Sequence, residues 1–337
     1  MSKISFKEFG QYFLGPSLLG YIRKVKEEGR KTVFPLAREG YVFDKIFDSF
    51  VDLPSSRYLK VSRALLFRIT IDDERCLEYS LKPKFSGSFE DLLIHRFGFS
   101  KKNLVTVLSE IDLIKTFSLP RDYDDVVSLI GHYGSALAES VSESKAAYLE
   151  YLESIEFKDN PLVLDLGYNG TIQKLLTLLT SQNTSGLYFI ASDPGVKAVY
   201  KSNAKMSGVF AEDVQMGDGC LMLDRSMFLE SLLTAPEGQL KDIRKNPITG
   251  EFEFFYGKRA NTQKHFHELE QVFEGAIEHV KHCFKHDISY SKEEIHHLFN
   301  QFVTKRSVFP AITWKLFEID DAVSGNGNVD PLAFFGL

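Results

Sequence analysis

The sequence predicts an α/β protein: a Rossmann-like, mostly parallel sheet with a helical insertion and a helical C-terminal region. Three observations predict it. Short apolar runs at Lys31–Ala37, Arg57–Ser62, Leu162–Leu166 and Gly186–Ala191 have the length of strands. Helical periodicities separate them, and strands that alternate with helices pair in parallel. Each run stops in glycine or charged residues, as strands do where they feed a loop at one sheet edge. The expected organisation is an α/β core over residues 1–240, interrupted by a helical insertion at about 68–160, with a mainly helical region over 241–337 packed on that core.

Each element has its own justification. Residues 1–30 are helical in pattern: Ser17–Val25 spaces its apolar residues on one face, and Gly29 ends it. Lys31–Ala37 is a buried strand, Gly40 follows at once, and Tyr41–Phe50 returns to helical spacing. Arg57–Ser62 is a second strand. Between 68 and 160 helical patterns are broken by Pro83, Gly87, Gly98 and Pro120, with no strand run. Leu162–Leu166 and Gly186–Ala191 are the third and fourth strands. A helix over 226–234 ends near Pro236. Glu251–Tyr256 alternates after the Asn246–Gly250 turn and reads as an edge strand. Two amphipathic helices over 262–306 meet near Asp287–Ser291, and the last dozen residues, rich in Gly and Asn, read as a tail or loop.

Composition excludes some classes. A net charge of −6 without a large basic cluster argues against a nucleic-acid partner. The 29 phenylalanines promise a filled core. Three widely spaced cysteines, Cys76, Cys220 and Cys283, argue against a disulfide framework and for a reducing compartment. Met1–Phe6 has no apolar signal core, so the expected location is cytoplasmic. No run of about 18 apolar residues predicts a membrane-spanning helix. The basic helix end Arg23-Lys24-Val25-Lys26 with Arg30-Lys31 is a solvated face that could also touch an anionic membrane surface from inside.

The candidate site lies at the strand ends. Asp165-Leu166-Gly167-Tyr168-Asn169-Gly170-Thr171 reads as strand tip, glycine loop and helix start, with Gln173 in the first turn. Free N–H groups there can hold an anion beside a carboxylate. The other strands end in Arg38-Glu39-Gly40, Ser62-Arg63 and Ser192-Asp193. Paired arginines suit phosphate oxygens, and a nearby carboxylate can orient or deprotonate a hydroxyl. The combination indicates a phosphorylated substrate and group transfer or hydrolysis. Glu230, and the tight turn at Glu237-Gly238, are further candidates. Seven of the nine histidines fall between His265 and His297, but no carboxylate or cysteine arrangement completes a metal site, and none is expected.

These loops together resemble a known family. Leu36-Ala37-Arg38-Glu39-Gly40-Tyr41, Val61-Ser62-Arg63-Ala64-Leu65, the Asp165–Gln173 segment and Ala235-Pro236-Glu237-Gly238 resemble, in order, motifs of the dual-domain ribofuranosyltransferases of bacterial polysaccharide gene clusters. Members of that family often carry only the label of haloacid-dehalogenase-superfamily hydrolase. They join an N-terminal phosphatase to a glycan phosphoribosyltransferase domain, and this chain resembles the second domain, over roughly residues 10–240. The resemblance implies phosphoribosyl pyrophosphate (PRPP) as donor, with magnesium compatible as its companion. It implies a glycan acceptor of an O-antigen or capsule, lipid-linked, and a separate phosphatase to remove the 5-phosphate. It further implies donor binding by Arg38, Gly40, Ser62, Arg63 and the loop residues Gly167 to Thr171 with Gln173, and catalysis by Asp165 or Glu39. The chain departs from the family at Glu39, where Asp is usual, and at Tyr168, where Trp is frequent. It also has no N-terminal Asp-x-Asp pair of a phosphatase.

Two other readings compete. Val163-Leu164-Asp165-Leu166-Gly167 resembles the first motif of S-adenosylmethionine-dependent methyltransferases, with Asp193 as the ribose-binding acid; Asn169 stands where such enzymes need glycine. A non-catalytic subunit of a polysaccharide assembly system is the third, because fold-level likeness does not guarantee chemistry.

Overall fold

A computed structural model describes residues 4–321 and 327–337. In chain order its first strands are β1 (Thr32–Pro35), β2 (Ser55–Ser56), β3 (Phe85–Ser88), β4 (Thr116–Leu119), β5 (Leu162–Asp165) and β6 (Thr184–Ala191). There follow β7 (Gly195–Val199), β8 (Ser202–Glu212), β9 (Leu240–Lys245), β10 (Phe252–Tyr256), β11 (Ile319–Asp321) and β12 (Gly327–Val329). The fold is α/β, as the strand–helix alternation predicts. Six strands form the central sheet in the order β2-β1-β5-β6-β8-β7. All neighbours are parallel except β7, which returns antiparallel to β8 at the edge.

Helices cover both faces. Every residue of β6 is buried, as a parallel strand covered on two sides requires. The two-residue period divides the strands between two cores. Val33, Leu162, Leu164 and Leu187 face one core with the helices Gly15–Glu27 and Phe266–Lys285. Phe34 and Val163 face the other, with Arg63–Ile69, Thr171–Thr180 and the long helix Tyr123–Ser154. The N-terminal helix Phe6–Phe13 starts at a Ser5–Glu8 capping box. It crosses Phe266–Lys285 so closely that a Cβ on Gly275 would stand 1.8 Å from the Lys7 carbonyl oxygen. Among the described residues, no helix is long and apolar enough to cross a membrane.

The structure corrects several expected elements. The second strand lies earlier, at Ser55–Ser56, and the expected Arg57–Ser62 run holds an isolated parallel bridge from Leu59 to Leu36. Ser62 does not extend it, because its hydroxyl accepts the Leu65 N–H at 3.0 Å and caps the next helix. The 68–160 insertion is mostly helical but contains the antiparallel pair β3 and β4, too short and polar to stand out in the sequence. Strands β7 and β8 were not expected. β10 pairs antiparallel with β9 in a separate ribbon rather than edging the central sheet. That ribbon packs on the insertion through Tyr151, whose ring meets Phe252 at 5.8 Å and Phe254 at 5.2 Å. Residues 327–337, expected as tail or loop, carry β12 and a short helix, Pro331–Phe334. The two expected C-terminal helices are present as Phe266–Lys285 and Lys292–Val303.

Candidate functional site

The site is assembled at the carboxyl edge of the parallel strands, where open α/β sheets present their loops. β5 ends on Asp165, and the chain then turns through Gly167 to Gly170 into the helix Thr171–Thr180. Gly170 has φ +62°, and a Cβ there would lie 2.1 Å from the Met206 sulfur. Glycine is therefore favoured there, and the first residues of the helix, whose N–H groups lack intrahelical partners, line the cavity.

Asp165 is 9% exposed. One of its carboxylate oxygens accepts the Leu166 N–H at 2.8 Å. Burial raises its pKa well above the usual carboxylate value; the nearby charges of Glu39 and Glu230 add to that, while the Leu166 N–H and Arg63 pull the other way. β1 leads into Arg38 and Glu39. Glu39 turns back to accept the Arg38 N–H at 2.9 Å. Among the described residues neither the Arg38 nor the Arg63 guanidinium has a hydrogen bond or ion pair within the protein.

Glu230 arrives from the helix Met227–Leu232 and accepts the Tyr168 hydroxyl at 2.8 Å and that of Ser226 at 3.4 Å. Burial, then the Glu230 charge, raises the Tyr168 pKa. The ribbon supplies the remaining side. Glu237 and Gly238 enter β9, and Tyr256 ends β10. A Cβ on Gly238 would lie 2.4 Å from the Gly257 carbonyl oxygen, so glycine lets the two ribbon ends touch. Together these groups enclose a cavity of about 320 Å³, within the usual range for small-ligand sites.

Most of the expected residues meet there. Arg38, Glu39, Ser62 and Arg63 line the cavity, as do Asp165 and the loop from Gly167 through Thr171. Glu230, Glu237 and Gly238 line it as well. Three expected residues do not. Gly40 packs on β1, where a Cβ would sit 2.6 Å from the Pro35 carbonyl carbon. Gln173 is fully buried: its amide donates to Thr184 Oγ1 and the Lys205 carbonyl, each at 3.0 Å, and accepts from the Tyr188 hydroxyl at 2.8 Å. Asp193 pairs with Lys174 at 3.2 Å and with Lys197, outside the cavity.

Sequence reasoning missed Tyr58, Lys60, Ser226 and Tyr256. Tyr58 and Lys60 share the period-two register of the Arg57–Ser62 run, and Tyr256 closes the alternating run at 251–256; both were available signals. Away from the cavity, His265 and His267 lie beside Glu268 at 3.5 and 2.9 Å, and the His282 and His286 rings are 4.5 Å apart. Among the described residues no group of three or more His, Cys, Asp or Glu side chains is placed to hold a metal ion. In the basic helix end, Arg23 pairs with Asp287 at 3.3 Å and Lys24 with Glu27 at 3.0 Å.

Fold and site thus define an α/β protein with a polar cavity of mixed charge at the carboxyl edge of its sheet. In comparison with known proteins, the chain matches no family model and no curated protein.

Proposed function

We propose that the protein is a glycan phosphoribosyltransferase, a pentosyltransferase that moves the 5-phosphoribosyl group of PRPP onto a hydroxyl of a bacterial surface-polysaccharide acceptor. The observation that carries this reading is the convergence of two unpaired guanidiniums and a helix N-terminus on one cavity that also holds a buried carboxyl group. Arg38, Arg63 and the N–H groups from Asn169 to Thr171 neutralise and orient the donor's phosphates. As the bond between ribose C1 and pyrophosphate breaks, the leaving oxygens gain charge, and preorganised cations stabilise it. The acceptor oxygen bonds to C1 and gives up its proton. Asp165 is the base in this scheme: it is the buried carboxyl group at the tip of β5, and burial strengthens its hold on a proton. Glu39, tied to the Arg38 backbone, is left to bind the ribose hydroxyls.

Magnesium would enter with the donor as part of the substrate. Glu39 and Glu230 are the cavity carboxylates that suit a hard cation. The acceptor is lipid-linked at the cytoplasmic face of the membrane in this reading, and a phosphatase removes the 5-phosphate. The direct test is incubation with PRPP and candidate glycan acceptors, following pyrophosphate release and donor binding by calorimetry. Pyrophosphate release supports the proposal; neither release nor donor binding defeats it.

The methyltransferase reading is weaker by one observation. Asp193, the acid it would assign to ribose, is held by Lys174 and Lys197 outside the cavity. A thermal shift with S-adenosylmethionine and none with PRPP would reverse the preference.

A further inference from the structure

The cavity has two chemically different parts. The loop after β1 brings Arg38 with Glu39, the loop after β5 brings free N–H groups, and Arg63 adds a second guanidinium from the start of the helix Arg63–Ile69. The ribbon end brings Glu237 and Tyr256, and Tyr58 stands with them from the segment after β2. The three are mutual neighbours. The Glu237 charge raises the pKa of both phenols, second only to burial at Tyr58. None of the two hydroxyls and the Glu237 carboxylate has a hydrogen-bond partner among the described residues. The frame is rigid. Gly238 and Gly257 touch backbone to backbone, and the Gly257 N–H donates to the Gln239 carbonyl at 2.7 Å. The backbone on either flank of that contact is held in place before any ligand arrives, which lowers the entropic cost of binding.

This part suits a partner different from a phosphate. The Glu237 carboxylate accepts hydrogen bonds from hydroxyl groups, and Lys60, the cation of the Tyr58 segment, lies over the Phe254 ring at 4.2 Å. Phenol rings offer flat apolar surface with a polar tip at low conformational cost, which fits the C–H face of a sugar ring. Resting on the phosphoribosyltransferase reading, we propose that Tyr58, Tyr256 and Glu237 form the acceptor subsite and that the acceptor residue is a neutral pyranose. Its hydroxyls donate to Glu237, and its ring lies against Tyr256.

The test uses the full chain without donor. Saturation-transfer NMR is recorded with neutral methyl hexopyranosides (gluco, galacto and manno) and with methyl glucuronide as their anionic counterpart. The expected result is transfer to the ring C–H protons of at least one neutral sugar, weaker for the glucuronide. Tyr256→Ala and Glu237→Gln abolish it, and Tyr256→Phe keeps the ring and retains it. Calorimetry of both losing variants gives PRPP affinity within about twofold of wild type, since only the sugar contact is removed. No transfer with any neutral sugar overturns the proposal. So does transfer that survives in Glu237→Gln and Tyr256→Ala, or displacement of the sugar by PRPP. Sugar binding by a wild-type chain that fails to bind PRPP would defeat the donor assignment and leave the sugar subsite standing.

Discussion

At the residue scale the site depends on a few groups left open by their neighbours. Among the described residues Arg38 and Arg63 have no carboxylate ion-pair partner, beside a cavity that also carries four acids. Replacing either by Ala should weaken PRPP binding by about 10- to 100-fold, the worth of one charge-assisted contact to phosphate. Calorimetry reads it, and an unchanged affinity removes that arginine from the donor site. Asp165 makes a prediction of opposite character. Its folded pKa is raised, so the folded state holds the proton to higher pH than the unfolded state does. Stability therefore falls as pH rises from the ordinary carboxylate range toward the folded pKa. Asp165→Asn removes that dependence. The ligand-free variant should be more stable than wild type at neutral pH, with the gap closing toward about pH 4, and it should lose transferase activity. Urea melts across pH check the first part. A variant less stable than wild type at pH 7 would show that burial does not penalise this charge. The Asp165 loop and Arg38, Glu39 and Arg63 were legible because each sits within a few residues of an apolar run. Tyr58, Lys60 and Tyr256 lie within such runs as well, but their meeting was not legible, because only the fold brings Tyr256 to the same cavity as residues about 200 positions earlier.

At the element scale, one buried polar cluster sets the ribbon against the core. Arg68, on the helix Arg63–Ile69, pairs with Asp242 of β9. Ser144 of the long insertion helix donates to the same carboxylate at 2.6 Å and accepts from Arg68 at 3.1 Å. The Arg68 side chain is 7% exposed, so removing its partner strands a buried charge. Asp242→Ala should cost about 3–5 kcal/mol in urea unfolding, whereas Arg68→Met with Asp242→Leu should recover most of the loss. A loss below about 1 kcal/mol would place the pair among weak surface bridges. The ribbon at 240–256 shares one core with the 68–160 insertion and with Phe34 and Val163 of the sheet. Strands β7 and β8 escaped detection. β8 alternates buried and exposed positions with lysine and asparagine between small residues, and β7 is largely exposed, so neither forms the apolar run of a central parallel strand.

At the scale of the whole molecule, the chain's two ends close one face of the sheet. Phe13 stacks on Phe299 at 5.7 Å and meets Phe302 and Phe309 edge-on at 5.0 and 5.8 Å. Phe13→Ala should cost about 3–5 kcal/mol. Because this cluster shares a core with β1, β5 and β6, tryptophan fluorescence and far-ultraviolet circular dichroism should report one coincident, earlier transition. Separate transitions would mean that the C-terminal helices unfold on their own. The central claim is that the cavity binds a phosphoribosyl donor, and the most direct measurement is calorimetric titration of the full chain with PRPP and magnesium, repeated on Arg63→Ala. The account predicts saturable binding at a single site that is weakened about 10- to 100-fold by the substitution. Absence of binding to the wild type, or equal binding by the folded variant, would contradict it.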